Sequence, residues 1–175
     1  ENFLKSNTEA IKVFNNKIKT IKIYGKKELK PINFKIPGDP SSAAFFTALT
    51  LLNKDSSLKI KNVGLNKTRI GFYDILKKQK ANLKFVNIIK RNNEFVGDLI
   101  VKSTKLKPFF VPANLYPRTT DEYLILFVMA SLIKGVSVFK GISDLSNKES
   151  SRAYEMAKIL KQIGIKCKLK KDEMK

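Results

Sequence analysis

Apolar and polar positions along the chain change period several times. Residues 2–6 read as the end of a helix. Residues 11–14 and 20–24 are short β-branched or aromatic runs bounded by Asn and Gly, the pattern of a hairpin. Residues 33–36 read as a further short strand, stopped by Pro37-Gly38. Asp39-Pro40-Ser41-Ser42 then precedes the apolar run 43–52. An Asp or Ser cap with Pro at the first helical position predicts a helix start there. A strand is predicted over 58–63 and a second helix over about 68–80. In that helix Ile70, Phe72, Tyr73, Ile75 and Leu76 fall mostly on one face. Strands follow near 83–89 and 98–103.

The same order then recurs. Thr119-Thr120-Asp121 opens the apolar helix 122–133, Gly135 ends it, and a strand follows over 136–140. A second helix over 150–162 and a strand over 165–169 complete the series. Asp39 and Asp121 are 82 positions apart; Arg69 and Arg152 are 83 apart, as are Ala81 and Gly164. Self-similarity at a fixed period marks a repeated supersecondary unit. Each unit reads strand–helix–strand–helix–strand–strand, so the fold class is α/β with interleaved elements. The nearly all-apolar run 124–133 predicts a helix buried on most sides.

Composition narrows the chemistry. Hydrophobic residues make up 43%, enough for a packed core. The formal net charge of +20 raises a nucleic-acid reading, yet 31 of the 35 basic residues are lysine. Arginine occurs only as Arg69, Arg91, Arg118 and Arg152, and the lysines are scattered without a basic arm. Lysine is a flexible point charge that lacks arginine's bidentate fork. The chain therefore reads as having solvated lysine faces that steer small anions, with no specific nucleic-acid partner. A basic RNA-binding protein would instead interleave basic residues with exposed aromatics; Phe45, Phe46, Phe72 and Phe127 fall in apolar runs that read as core. Cys167 is the one cysteine, in an alternating run over 163–169, and reads as a small core residue. There is no histidine, so nucleophile systems and zinc sites that need one are excluded within this chain. Acid–base work must fall to Asp, Glu, Lys or Tyr. The apolar run 124–133 is about half the length that spans a bilayer. With no secretory pattern at the start, no membrane partner and a cytoplasmic location are expected. Both ends read as cut from a longer protein.

Four segments carry a resemblance: Ile36-Pro37-Gly38-Asp39-Pro40-Ser41-Ser42-Ala43-Ala44-Phe45, Asn66-Lys67-Thr68-Arg69-Ile70-Gly71, Thr120-Asp121-Glu122-Tyr123 and Asn147-Lys148-Glu149-Ser150-Ser151-Arg152. In this order and spacing they resemble the C-terminal half of the 5-enolpyruvylshikimate-3-phosphate synthase family, over nearly the whole chain. The resemblance implies an enolpyruvyl transferase-like inside-out α/β barrel built of repeated βαβαββ units, with about two repeats here. It implies that residues 1–37 end the N-terminal domain and that 38–175 form part of the C-terminal domain. The implied reaction transfers the carboxyvinyl group of phosphoenolpyruvate to the 5-hydroxyl of shikimate 3-phosphate and releases phosphate. It needs no cofactor and no metal, and the parent enzyme is expected to be a monomer.

Residue by residue, Asp121 matches the acid that takes the proton of the attacking hydroxyl. Glu149 matches the acid that moves a proton at the methylene carbon of phosphoenolpyruvate. Lys148 matches the lysine on shikimate 3-phosphate, and Arg152 the arginine that grips phosphoenolpyruvate. Two phosphates and a carboxylate need cations around them, so these residue types suit the chemistry. By position alone Asp121 stands where a helix N-cap belongs, while Glu149 and Arg152 would make a first-turn pair. Arg69 is given no substrate role and reads as structural; Asp39, Ser41 and Ser42 read as cap and hinge. Ser146, Asn147 and Ser151 depart from the family's usual residues, as do Lys67 and Leu124. The related enolpyruvyl transferase acting on UDP-N-acetylglucosamine is the nearest alternative, and a catalytically dead remnant is a further one. The piece itself is expected to be inactive, because the rest of the family's active site lies on segments this chain does not contain.

Overall fold

In the computed structural model, which describes residues 10–31, 33–91, 93–147 and 150–175 and only the backbone of Asn147, helix α1 (Pro40–Leu52) begins where the sequence placed it. The Asp39 carboxylate accepts from the N–H of Ser41 (3.2 Å) and of Ser42 (3.0 Å), and Pro40 opens the helix with no N–H to leave unpaired. The buried stripe of α1 is small: Ala43, Ala44, Thr47, Ala48 and Leu51. The hydroxyls of Thr47 and Thr50 satisfy themselves on the Ala43 and Phe46 carbonyls, both at 2.8 Å, so these polar residues can be buried. Phe45 and Phe46 are each 58% exposed, against the expectation that they sit in the core. On a 3.6-residue period positions 45, 46 and 49 face away from the 43–44–47–48–51 stripe. Phe72 and Phe127 are buried as expected.

Strand β1 (Ile11–Asn15) pairs antiparallel with β2 (Lys19–Ile23), the hairpin read from the sequence. The strand expected over 33–36 does not form. Pro31 and Pro37 bracket that run and offer no ladder N–H. The pairing moves to Gly38, which makes a parallel bridge to Val63.

After α1 come β3 (Ser57–Gly64), α2 (Gly71–Lys78), β4 (Leu83–Arg91) and β5 (Glu94–Lys102), in a sheet of order β3-β5-β4 with both pairs antiparallel. The second unit supplies β6 (Phe110–Val111), α3 (Tyr123–Ser131), β7 (Val138–Lys140), α4 (Arg152–Gln162), β8 (Leu169–Lys170) and β9 (Glu173–Met174), in order β6-β7-β9-β8. With the Gly38 bridge counted as the edge beside β3, the two units share one topology: a parallel βαβ step, then two antiparallel neighbours. The polar run 170–175 turns back on itself, Lys170 pairing with Glu173 and Leu169 with Met174, which is buried. Cys167 is half-buried and lies outside the short ladder of β8.

Helix α2 starts later than expected because the Asn66 side chain accepts from the N–H of Thr68 (3.0 Å) and its hydroxyl (2.9 Å), holding 66–69 in a turn. It ends with Lys80 at φ 56° and the Ala81 N–H bonded to Leu76 O; α4 ends alike, with Gly164 at φ 83° and Ile165 bonded to Leu160. Lys80, rather than Ala81, is thus the counterpart of Gly164. Helix α3 is buried through Tyr123, Leu126, Phe127 and Met129 but exposes Leu132 just past its end. Its face meets α1 and a cluster of rings, Phe127 standing edge-on to Phe139 at 4.9 Å. No helix among the described residues is long and apolar enough to cross a membrane.

Candidate active site

The start of α3 differs from that of α1. Two short 3₁₀ turns, Ala113–Arg118 and Thr120–Glu122, lead into it, and Asp121 sits in the second. Its carboxylate caps nothing: α3 has no side-chain cap. The Thr120 hydroxyl instead bonds the Tyr116 carbonyl at 2.9 Å and fixes the turn. Asp121 is therefore free of the role its position implied, and its half-exposed side chain points to Arg69.

Arg69 stands just before α2. One of its nitrogens, Nη2, lies 3.0 Å from Ser41 Oγ, 3.3 Å from Asp121 Oδ2 and 3.7 Å from Asp39 Oδ1. The Ser41 hydroxyl in turn donates to the Glu122 carboxylate. Asp39, Ser41 and Arg69 of the first unit thus meet Asp121 and Glu122 of the second. Burial would raise the Asp39 carboxyl, but the bonds from Ser42 and Ser41, with Arg69 nearby, hold it below the usual carboxylate value. Glu122 is only 3% exposed. Burial raises its carboxyl more than the Ser41 hydroxyl draws it down; the Asp121 charge raises it further and Arg69 lowers it.

The turn carrying Asp121 is clamped to the first unit. Arg118 donates to Lys67 O at 2.7 Å and to Asp74 at 2.6 Å, and Thr119 is packed with no exposure against Gly71. Tyr73, fully buried, donates to Pro40 O at 2.7 Å, tying α2 to the start of α1.

Arg152 is the first residue of α4, half-buried, and close enough to Tyr116 for its charge to act on that phenol. The Tyr116 hydroxyl is pushed up to about 12 by burial and by its 2.9 Å bond to Asp144. The Tyr116 ring lies 5.3 Å from that of Tyr123, two residues past Asp121. The structure therefore groups Asp121 with Arg69, Ser41, Asp39 and Glu122, and places Arg152 near Tyr116 of the preceding turn. Lys148 and Glu149 lie outside the described residues. Reading from sequence missed Arg69, Ser41 and Glu122 as members of this cluster. The equivalence of Asp39 and Asp121 across the repeat was the available signal, since equivalent helix starts of packed units can meet.

With this geometry in hand, similarity to known proteins decides the family. The profile of EPSP synthase (3-phosphoshikimate 1-carboxyvinyltransferase) matches residues 1–175. This chain belongs to the EPSP synthase family. A 3-phosphoshikimate 1-carboxyvinyltransferase of Zymomonas mobilis is 40% identical over 158 residues, covering 90% of this chain and 35% of the relative. One of Petrotoga mobilis is 41% identical over 146 residues, 83% of this chain and 34% of its own length. The structure of EPSP synthase from Acinetobacter baumannii superposes with a TM-score of 0.86 at 32% identity, covering 99% of this chain and 39% of that one. The chain thus spans about a third of the length of the curated relatives it matches. Its repeated α/β units are part of the family's fold, and neither the UDP-N-acetylglucosamine transferase nor the RNA-binding alternative gains support.

Proposed function

We propose that this chain supplies part of the active site of an enzyme that transfers the carboxyvinyl group of phosphoenolpyruvate to the 5-hydroxyl of shikimate 3-phosphate. Family membership over all 175 residues is the observation that carries this reading. Asp121 is the base: its carboxylate is half-exposed, does not cap α3 and is approached by a guanidinium. As the hydroxyl oxygen bonds to C2 of phosphoenolpyruvate, its proton passes to Asp121, and Glu149 delivers a proton to the methylene carbon. Phosphate then leaves the tetrahedral adduct as one methyl proton returns to the Glu149 carboxylate, which restores the double bond and the acid. Lys148 and Arg152 hold the substrate anions. Residues 1–37 close the first domain of the parent protein and 38–175 belong to the second. The parent enzyme acts as a monomer in the cytoplasm, with neither a membrane nor a specific nucleic acid as partner. The 175-residue piece alone turns nothing over, because cations from the rest of the cleft must complete the site.

The test is phosphate release by the full-length protein given both substrates. Asp121→Asn should lower kcat by about 10²- to 10⁴-fold, the usual worth of a positioned base. Turnover by D121N at the wild-type rate would remove Asp121 from the reaction. Turnover with UDP-N-acetylglucosamine in place of shikimate 3-phosphate would move the chain to the other transferase.

A further inference from the structure

Arg69 is outside the residues assigned above, yet its guanidinium lies 3.3 Å from the Asp121 carboxylate. We propose that Arg69 is the positioning residue for Asp121, an arginine of the first unit that fixes the carboxylate of the second. The proposal rests on Asp121 being the base of the proposed reaction.

The hydrogen-bond polarity leaves Arg69 one arrangement. Ser41 has a single hydroxyl hydrogen and gives it to Glu122, so toward Arg69 it can only accept. The guanidinium nitrogen is thereby anchored at 3.0 Å on a side chain that cannot reverse its role. Asp39 does not compete for it closely. Its oxygens accept from Ser41 N, Ser42 N and Ser42 Oγ, and it stays 3.7 Å from Arg69. The nearer carboxylate partner is Asp121, at 3.3 Å. The backbone of Arg69 is set by its own N–H on Asn66 O at 2.8 Å, within the turn that Asn66 holds.

Asp121 needs such a partner because, among the described residues, no cap or ion pair from its own unit orients it. A 3₁₀ turn without a cap leaves a half-exposed carboxylate that would otherwise sample several rotamers. A base must be held to within about 0.5 Å of its working geometry. Arg69 and Asp121 are 49% and 52% exposed, and an ion pair so exposed contributes little to folding. The contact should therefore show in turnover and hardly at all in stability.

The experiment compares Arg69→Met, Arg69→Lys and Ser41→Ala in the full-length enzyme. For R69M the expected result is a fall in kcat of about 100-fold, the scale of a misplacement near 1 Å, with KM for both substrates within about twofold of wild type. R69K should recover part of the loss, since it keeps the charge without the fork. S41A, which frees the guanidinium, should fall between R69M and wild type. A rise in KM with kcat unchanged would make Arg69 a substrate-binding group and overturn the proposal, as would wild-type kinetics in R69M. A crystal structure of R69M supplies a readout independent of activity: the Asp121 side chain should leave its wild-type rotamer or become disordered. An unmoved Asp121 sinks the positioning role. Absence of phosphate release by the wild-type enzyme would defeat the functional reading alone, leaving that rotamer to decide for Arg69.

Discussion

Gly71→Ala tests whether the first unit buttresses the turn that carries Asp121. Gly71 is the first residue of α2, and a Cβ there would run into the Thr119 hydroxyl and stand 2.6 Å from Arg118 O and 2.8 Å from Arg118 C. The hydroxyl can rotate away, but the carbonyl cannot. Arg118 is pinned through Lys67 and Asp74, and the next N–H, of Thr119, is bonded to Tyr116 O at 3.0 Å. Overpacking a close-packed site costs about 1–3 kcal/mol, and contact with a fixed backbone carbonyl puts this case at the upper end. Alanine's better helix propensity offsets at most about 1 kcal/mol. The net expectation is about 2 kcal/mol of destabilisation, or a Tm lower by about 4–8 °C for a chain of this size. Urea denaturation with a shared slope measures it. Thr119→Ala in the same chain should recover only a minor part, because the Arg118 carbonyl remains. A G71A midpoint within about 0.5 kcal/mol of wild type, or full recovery in the double variant, would show that α2 does not press on this turn.

Glu122→Gln should stabilise the chain progressively as pH rises. The folded state raises the Glu122 carboxyl, chiefly by burial, so between the ordinary Glu value and the folded one the native state holds more protons than the unfolded. Wild-type stability is therefore lost as pH climbs through that window, whereas neutral Gln has no such slope. Urea midpoints of both proteins from pH 4 to 8 should diverge with rising pH, and parallel curves would refute the shift. Tyr73→Phe keeps the rings packed but removes the phenol's 2.7 Å bond to Pro40 O; a loss of about 1–2 kcal/mol in chemical denaturation is expected. No loss would mean that the bond does not hold α2 to α1.

The repeat and the start of α1 were legible in the sequence because they are written in local chemistry. Asp39-Pro40 can do little but open a helix, and the 82-residue spacing to Asp121 follows from two units of one topology. Legibility failed where a tertiary partner decides. Phe45 and Phe46 lie in an apolar run, yet the small stripe Ala43–Ala44–Thr47–Ala48 wins the buried face, since it lets α3 approach closely. The pairing of 173–174 hides in a polar run because only Met174 faces inward. Asp121 looks like a cap because a 3₁₀ turn and an α-helical N-terminus share the same residue preferences. Arg69 could not be assigned from spacing, since its oxygen partners come from two distant segments, the start of α1 (Asp39 and Ser41) and the turn before α3 (Asp121).

The electrostatics of the cluster explains how three acids can share one guanidinium. Asp39, Asp121 and Glu122 would repel one another if all were equally charged and equally bare. They are not equivalent. Asp39 spreads its charge over three donors at the N-terminus of α1, where the helix dipole favours an anion. Glu122 is pressed toward its neutral form by burial and keeps a single hydroxyl as partner in the cluster, Ser41. Asp121, as exposed as Asp39 but capping no helix, is the carboxylate that Arg69 meets more closely, at 3.3 Å. Burial thus pushes Glu122 up, while the Ser42 and Ser41 bonds hold Asp39 down against its own burial, so two acids of one cluster are driven apart by their environments. The separation depends on Ser41, which turns its one hydrogen to Glu122 and its lone pair to Arg69. Exchanging that serine for alanine would remove both at once, and the cluster would lose the asymmetry that singles out Asp121.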